Sequence, residues 1–147
     1  MIVLAIDPGS KKCGVAVVAS DRGVLRHSVI FLSSLQELCS DIMKTFSVEA
    51  IVIGSGTGSA RVMQIVNKLI ANRKSIPKIE IINEAHSTER AKLRYFQENP
   101  PKGVWKFVPL GLQFPPSPYD DYAAVVLAED FLAHTKAKLG QEESPKY

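Results

Sequence analysis

The sequence is poor in the residues that build small metal or disulfide scaffolds, with two cysteines and three histidines in 147 residues. Cys13 and Cys39 have no C-x-x-C or Cys/His partner spacing, which argues against a zinc site or a disulfide framework and fits a reducing, cytoplasmic setting. His86 and His134 belong to no ligand cluster, and no nucleophile elbow supports Ser/His/Asp chemistry. Long hydrophobic runs are also missing. Stretches such as Ile2 to Ile6 and Ala123 to Ala128 fall far short of the roughly 20 residues that span a bilayer, so no membrane partner is expected. The N-terminus has no basic start and its apolar run ends on Asp7, so it reads as part of the folded domain and not as a secretory signal. The P-loop pattern GxxxxGK[ST] is absent, which removes one nucleotide-binding chemistry.

What is present suits one ordinary core: 46% of residues are hydrophobic and 22% charged. A net charge of +3 says little by itself, but the stretch from Arg61 to Lys106 carries ten basic side chains against four acidic ones. Such a concentration can neutralise phosphates, and solvated helix faces also look like this.

The run Ile2 to Ile6 predicts a strand buried on both faces, stopped by Asp7-Pro8-Gly9-Ser10. Cys13 to Ala19 predicts a second strand, and Asp21-Arg22-Gly23 turns into a third, Val24 to Leu32, completing an antiparallel meander. Ser33-Ser34 offers an N-cap for a helix reaching about Ser47. Ala50 to Ile53 reads as a short buried strand ending in Gly54-Ser55-Gly56-Thr57-Gly58-Ser59, and Val62, Ile65, Val66, Leu69 and Ile70 mark an amphipathic helix. Lys78 to Ile82 supplies a fifth strand, and Ser87 can cap a helix to roughly Gln97. Asn99 to Pro118 holds six of the nine prolines and reads as a structured flap. The last helix is expected from Tyr119 or Asp120 to His134, with 136–147 as a polar, mobile tail. The expectation is a single α/β domain over 1–135. Its mixed five-stranded sheet has strands 1-2-3 antiparallel, strands 1, 4 and 5 parallel, and helices on both faces, which is the RNase H-like arrangement.

Chemistry in such a sheet sits where strands end. Cutting a phosphodiester needs an activated water and a charge clamp, which two Mg²⁺ or Mn²⁺ ions about 4 Å apart supply. Hard divalent ions take oxygen ligands, so several carboxylates must converge. Asp7 ends strand one, Glu84 follows strand five, and Asp120 or Asp121 opens the last helix. Asp120 shares a stripe with Ala124, Leu127 and Phe131, and Asp121 shares one with Val125, Ala128 and Leu132, so periodicity does not choose between them. Thr57, Ser59 and Arg61 at the glycine-rich turn, with Lys11 and Lys12, are candidate phosphate contacts. Trp105, Phe107 and Phe114 read first as a lid over the domain's own core and second as base-stacking groups.

The segment Ile6-Asp7-Pro8-Gly9-Ser10-Lys11-Lys12-Cys13-Gly14-Val15-Ala16-Val17 resembles the opening hairpin of RuvC-like resolvases and YqgF-type nucleases. The turn at 54–59, Asn83-Glu84 with Ser87-Thr88-Glu89, and Asp120-Asp121-Tyr122-Ala123-Ala124 follow in that family's order. The resemblance implies an RNase H-like fold and a metal-dependent endonuclease that processes ribosomal RNA precursors or resolves branched DNA. It implies Asp7, Glu84 and Asp120 as catalytic metal ligands with Asp121 in reserve, because Asp120 stands in the family's Asp-x-x-Ala-Ala pattern. A resolvase acting on a two-fold junction would favour a homodimer, whereas a processing nuclease could act alone. The YqgF pattern usually carries Asp-Glu-Arg after strand five, where this chain has Asn83-Glu84-Ala85 and so has one carboxylate and one arginine fewer.

Overall fold

Valine, isoleucine and alanine dominate the stretches that become strands, and branched side chains pack well on a pleated surface. The computed structural model describes residues 1–83, 87–107 and 120–142, with the backbone alone at 87–90, 92, 104, 105, 120, 141 and 142. Five strands, β1 (Ile2–Asp7), β2 (Lys12–Ala19), β3 (Gly23–Phe31), β4 (Ala50–Gly54) and β5 (Lys78–Ile82), form one sheet in the order β3-β2-β1-β4-β5. The pairs β1–β2 and β2–β3 are antiparallel, while β1–β4 and β4–β5 are parallel, so the expected pattern holds. The β2–β3 ladder is irregular between Val17 and Val18.

Alternation along the strands divides the core in two. Leu4, Ile6, Val15, Val17, Ile51 and Ile53 face α1 (Leu35–Thr45) and α2 (Ser59–Ile70). Val3, Ala5, Ala16, Val18, Ala50 and Val52 face α4 (Asp120–Glu142). α3 (Ser87–Glu98) packs outside α4, where Ala91 and Tyr95 meet Tyr122 and Ala123. α4 is thus covered on both sides, and every residue from Asp121 to Ala128 is buried.

Three expectations change. Ser34 occupies the N-cap of α1 but makes no side-chain cap hydrogen bond. A 3₁₀ turn over Leu32–Ser34 runs straight into the helix and leaves Ser34 near-helical, at φ −98° and ψ −3°. The last helix does not stop at His134. Lys136 to Glu142 continue it, because lysine, alanine, leucine, glutamine and glutamate sustain a helix after the core-facing pattern ends; 143–147 lie outside the described residues. In the proline-rich stretch, Gly103–Phe107 forms a 3₁₀ turn on which Phe107 is 89% exposed, so that ring does not cover the core as a lid would. Phe114 lies outside the described residues, and of Trp105 only the backbone is described.

Candidate metal and nucleic-acid centre

β1 carries its apolar residues into the middle of the sheet and releases Asp7 at its end. Val3 and Ala5 face α4, so two-residue alternation sets Asp7 on that same side. On β2 the residue opposite Asp7 is Gly14. On β4, Ile53 pairs with Ile6, and one step further in the same register stands Gly54, the partner of Ile82 on β5. The carboxylate is therefore flanked on both neighbouring strands by residues without a side chain. An oxygen donor in such a gap suits a hard divalent ion and the phosphate oxygens it would share.

The turn after Asp7 is locked against the glycine-rich loop. Gly58 has φ +91°, and a Cβ placed on it would sit 2.7 Å from the carbonyl oxygen of Gly9. A Cβ on Gly9 would sit 2.3 Å from the carbonyl of Lys12. Only glycines allow these backbones to approach so closely. In the loop, the Ser55 amide donates to the Ile82 carbonyl at 2.9 Å and the Ser59 amide to the Gly56 carbonyl at 3.1 Å, so those two donors already have partners. Thr57 and Arg61 are exposed and Ser59, first residue of α2, is half-buried.

Lys11 and Lys12 are both exposed at this edge. Lys12 lies over the Phe31 ring, its Nζ 5.1 Å from the centroid, as expected for residues opposite each other on β2 and β3. Phe31 is 60% exposed.

Asp121 is the buried member of the aspartate pair. Its Oδ2 lies 2.7 Å from Nδ1 of His27 on β3, and its Oδ1 accepts the Tyr122 amide at 3.0 Å. His27 pairs with Ala16, which places it on the α4 side of the sheet. The His27 and Tyr122 rings are 5.3 Å apart, and the Tyr122 hydroxyl donates to Glu98 Oε2 at 2.8 Å. Burial, and then the Glu98 hydrogen bond, push the Tyr122 hydroxyl up to about 12. Position 120 opens α4 in phase with Ala124, Leu127 and Phe131, all packed on the sheet.

Glu84 lies outside the described residues, as does any contact it makes. Among the described residues no group of three or more His, Cys, Asp and Glu side chains gathers as a metal cluster. The structure thus brings Asp7, the Lys11–Lys12 turn and the 54–59 loop together, and assigns Asp121 to His27. The sequence reading passed over His27 and Phe31. Their signal was the two-residue alternation His27, Val29, Phe31, which puts all three on one face of β3.

The sequence model of the Tex protein YqgF-like domain matches residues 1–90. No curated protein sequence matches the chain. Among solved structures, RuvC from Thermus thermophilus superposes with a TM-score of 0.62 at 17% identity, covering 95% of this chain and 97% of that one. The fowlpox virus Holliday junction resolvase superposes with a TM-score of 0.60 at 12% identity, covering 92% and 99%. The same viral resolvase in complex with Holliday junction DNA gives a TM-score of 0.58 at 11% identity, again covering 92% and 99%. With RuvC-like neighbours over nearly its whole length and the family match over more than half of it, the chain belongs to the Tex-type YqgF-like domains and has the RNase H-like fold.

Proposed function

We propose that this domain is a divalent-metal-dependent endonuclease that hydrolyses phosphodiester bonds in structured nucleic acid, with ribosomal RNA precursors as the first substrate to test. The observation that carries it is Asp7, set at the end of a buried strand on the α4 side of the sheet between Gly14 and Gly54. Asp7, Glu84 and Asp120 would hold one or two Mg²⁺ or Mn²⁺ ions, whose chemistry when bound is to make water nucleophilic and to clamp phosphate charge. Of the α4 pair Asp120 is the first choice, since Asp121 is already engaged by His27. Lys11 and Lys12 offset the charge of the phosphate, and Thr57, Ser59 and Arg61 hold its neighbours along the strand. In the reaction, water oxygen bonds to phosphorus as the ester bond to the leaving nucleotide breaks, and the leaving oxygen takes up a proton.

A second substrate, branched DNA, is favoured by the fowlpox virus neighbour, a Holliday junction resolvase that is also solved in complex with Holliday junction DNA. Asn83, where the YqgF pattern that this sequence resembles has an acid, favours a third reading, a non-catalytic nucleic-acid-binding module. One panel separates the three: precursor rRNA, single strands and four-way junctions, each with Mn²⁺, with and without Asp7→Asn. Cleavage abolished by Asp7→Asn in a folded protein supports the nuclease, and the cleaved member names the substrate. Unchanged cleavage in Asp7→Asn removes it, and binding without cleavage of any member leaves the binding module.

A further inference from the structure

An exposed groove runs between α1 and α2, on the sheet face opposite α4, and shares only Arg61 with the residues proposed to hold substrate near Asp7. Its volume is about 510 Å³. Its polar lining is Ser33, Gln36, Arg61, Gln64, Asn67 and Lys68: two cations, three carboxamides and a hydroxyl. Among the described residues no carboxylate lines it, and neither cation is in an ion pair. Positions 61, 64 and 68 recur at helical spacing along one strip of α2. At 1.5 Å rise per residue, Arg61 and Lys68 are about 10 Å apart along the axis, which is about three base-pair steps of 3.4 Å.

The groove adjoins the edge where Asp7 stands. Leu32, also in its wall, donates its backbone amide to the Lys11 carbonyl at 2.9 Å. Gly58, immediately before α2, lies against Gly9 of the Asp7 turn. The exposed Lys11–Lys12 turn therefore leads from the Asp7 edge to the groove that Arg61 and Lys68 line. Cations along such a path release counterions from a polyanion, and carboxamide N–H groups donate to phosphate oxygens without reading sequence.

We propose that this groove is a second site for the phosphodiester backbone, holding the arm of a nucleic acid that extends from the Asp7 edge. The inference rests on the nuclease reading only for what that arm is attached to, since binding here requires no cleavage. The test uses the Asp7→Asn full chain and fluorescence anisotropy with labelled RNA and DNA duplexes of about 20 base pairs, from about 50 to 200 mM KCl. Adding Lys68→Gln, which only the groove uses, should lower the slope of log affinity against log salt by about one, and Arg61→Gln with it by about two, weakening binding about tenfold at the upper salt. Gln64→Ala with Asn67→Ala should weaken binding at unchanged slope. The control, Lys136→Gln with Lys138→Gln, removes the same charge from the exposed end of α4, where Lys136 stands near Met1 and Ser20. Its slope should stay that of the Asp7→Asn parent. An unchanged slope in the groove variant, an equal loss in the control, or no duplex binding at all overturns the site. Cleavage with Asp7 restored reads the other proposal: binding through the groove without cleavage sinks the nuclease alone, and cleavage without groove dependence sinks the groove alone.

Discussion

Asp121 shows how a residue from a distant strand holds a buried carboxylate. Its side chain is 12% exposed and would be costly to bury alone, and His27 Nδ1 at 2.7 Å satisfies it across 94 positions of sequence. Removing the imidazole leaves a buried carboxylate short of a partner, so His27→Ala should cost about 1–3 kcal/mol in urea unfolding. His27→Asn, whose amide nitrogen can reach the place of Nδ1, should recover most of that. Equal stability of all three proteins would mean that the contact does not form in solution. Cys39 makes a second residue-scale case. Burial, and then the neighbouring Cys13, push its thiol up from 9.0 to about 12. The folded protein then keeps a proton that the unfolded chain releases near pH 9, so this contribution is complete below pH 9 and fades as pH rises toward 12. The loss of stability between those limits should be smaller in Cys39→Ala. At pH 8, neither buried cysteine should react with a thiol reagent until the protein is unfolded.

At the scale of elements, the contact between the β1–β2 turn and the N-terminus of α2 decides where Asp7 stands relative to the glycine-rich loop. Gly58→Ala forces a left-handed residue with a side chain, a strain of about 1–2 kcal/mol, and drives its Cβ onto the Gly9 carbonyl 2.7 Å away. Stability should fall by about 2 kcal/mol or more, and cleavage should fall further than binding, because the displaced turn begins next to Asp7. Gly23→Ala is the matched comparison. It has φ +75° but nothing within 4 Å of the added Cβ, so it should lose about 1 kcal/mol and keep its cleavage rate. Equal losses of cleavage in the two variants would show that the turn contact does not position the site. These elements also mark what could be read in advance. The strands were legible because their branched runs end on Asp7-Pro8-Gly9 and on Gly54, and α2 because Val62, Val66 and Ile70 repeat on one face. The choice between Asp120 and Asp121 was not, because α4 lies between the sheet and α3 and is apolar on nearly all sides, leaving no polar face to set its phase. His27 was invisible for a related reason: its partner lies on another element 94 residues away.

For the whole molecule, the sheet separates the two proposed sites, with Asp7 on the α4 side and the groove on the α1–α2 side, and Arg61 stands at their junction. A substrate touching both must pass over the strand-end edge and cross one helical layer, itself about 10–12 Å thick. Allowing for the edge, the arm must reach on the order of 20 Å from the cleaved bond, or about six base pairs at 3.4 Å each. Arms shorter than this lose groove contacts but still present their phosphodiester to Asp7, so shortening the arm should raise KM while kcat holds, the mark of lost uniform binding. The dependence should be steep at low salt and shallow at high salt, because counterion release supplies the groove's share of affinity. In Arg61→Gln with Lys68→Gln, long-armed substrates should behave like short-armed ones, with KM already raised and little further change on shortening. A KM that ignores arm length in the unmodified protein would mean that the substrate lies wholly on the Asp7 edge, and a kcat that falls with arm length would mean that the groove orients the reacting phosphate as well as binding its neighbours.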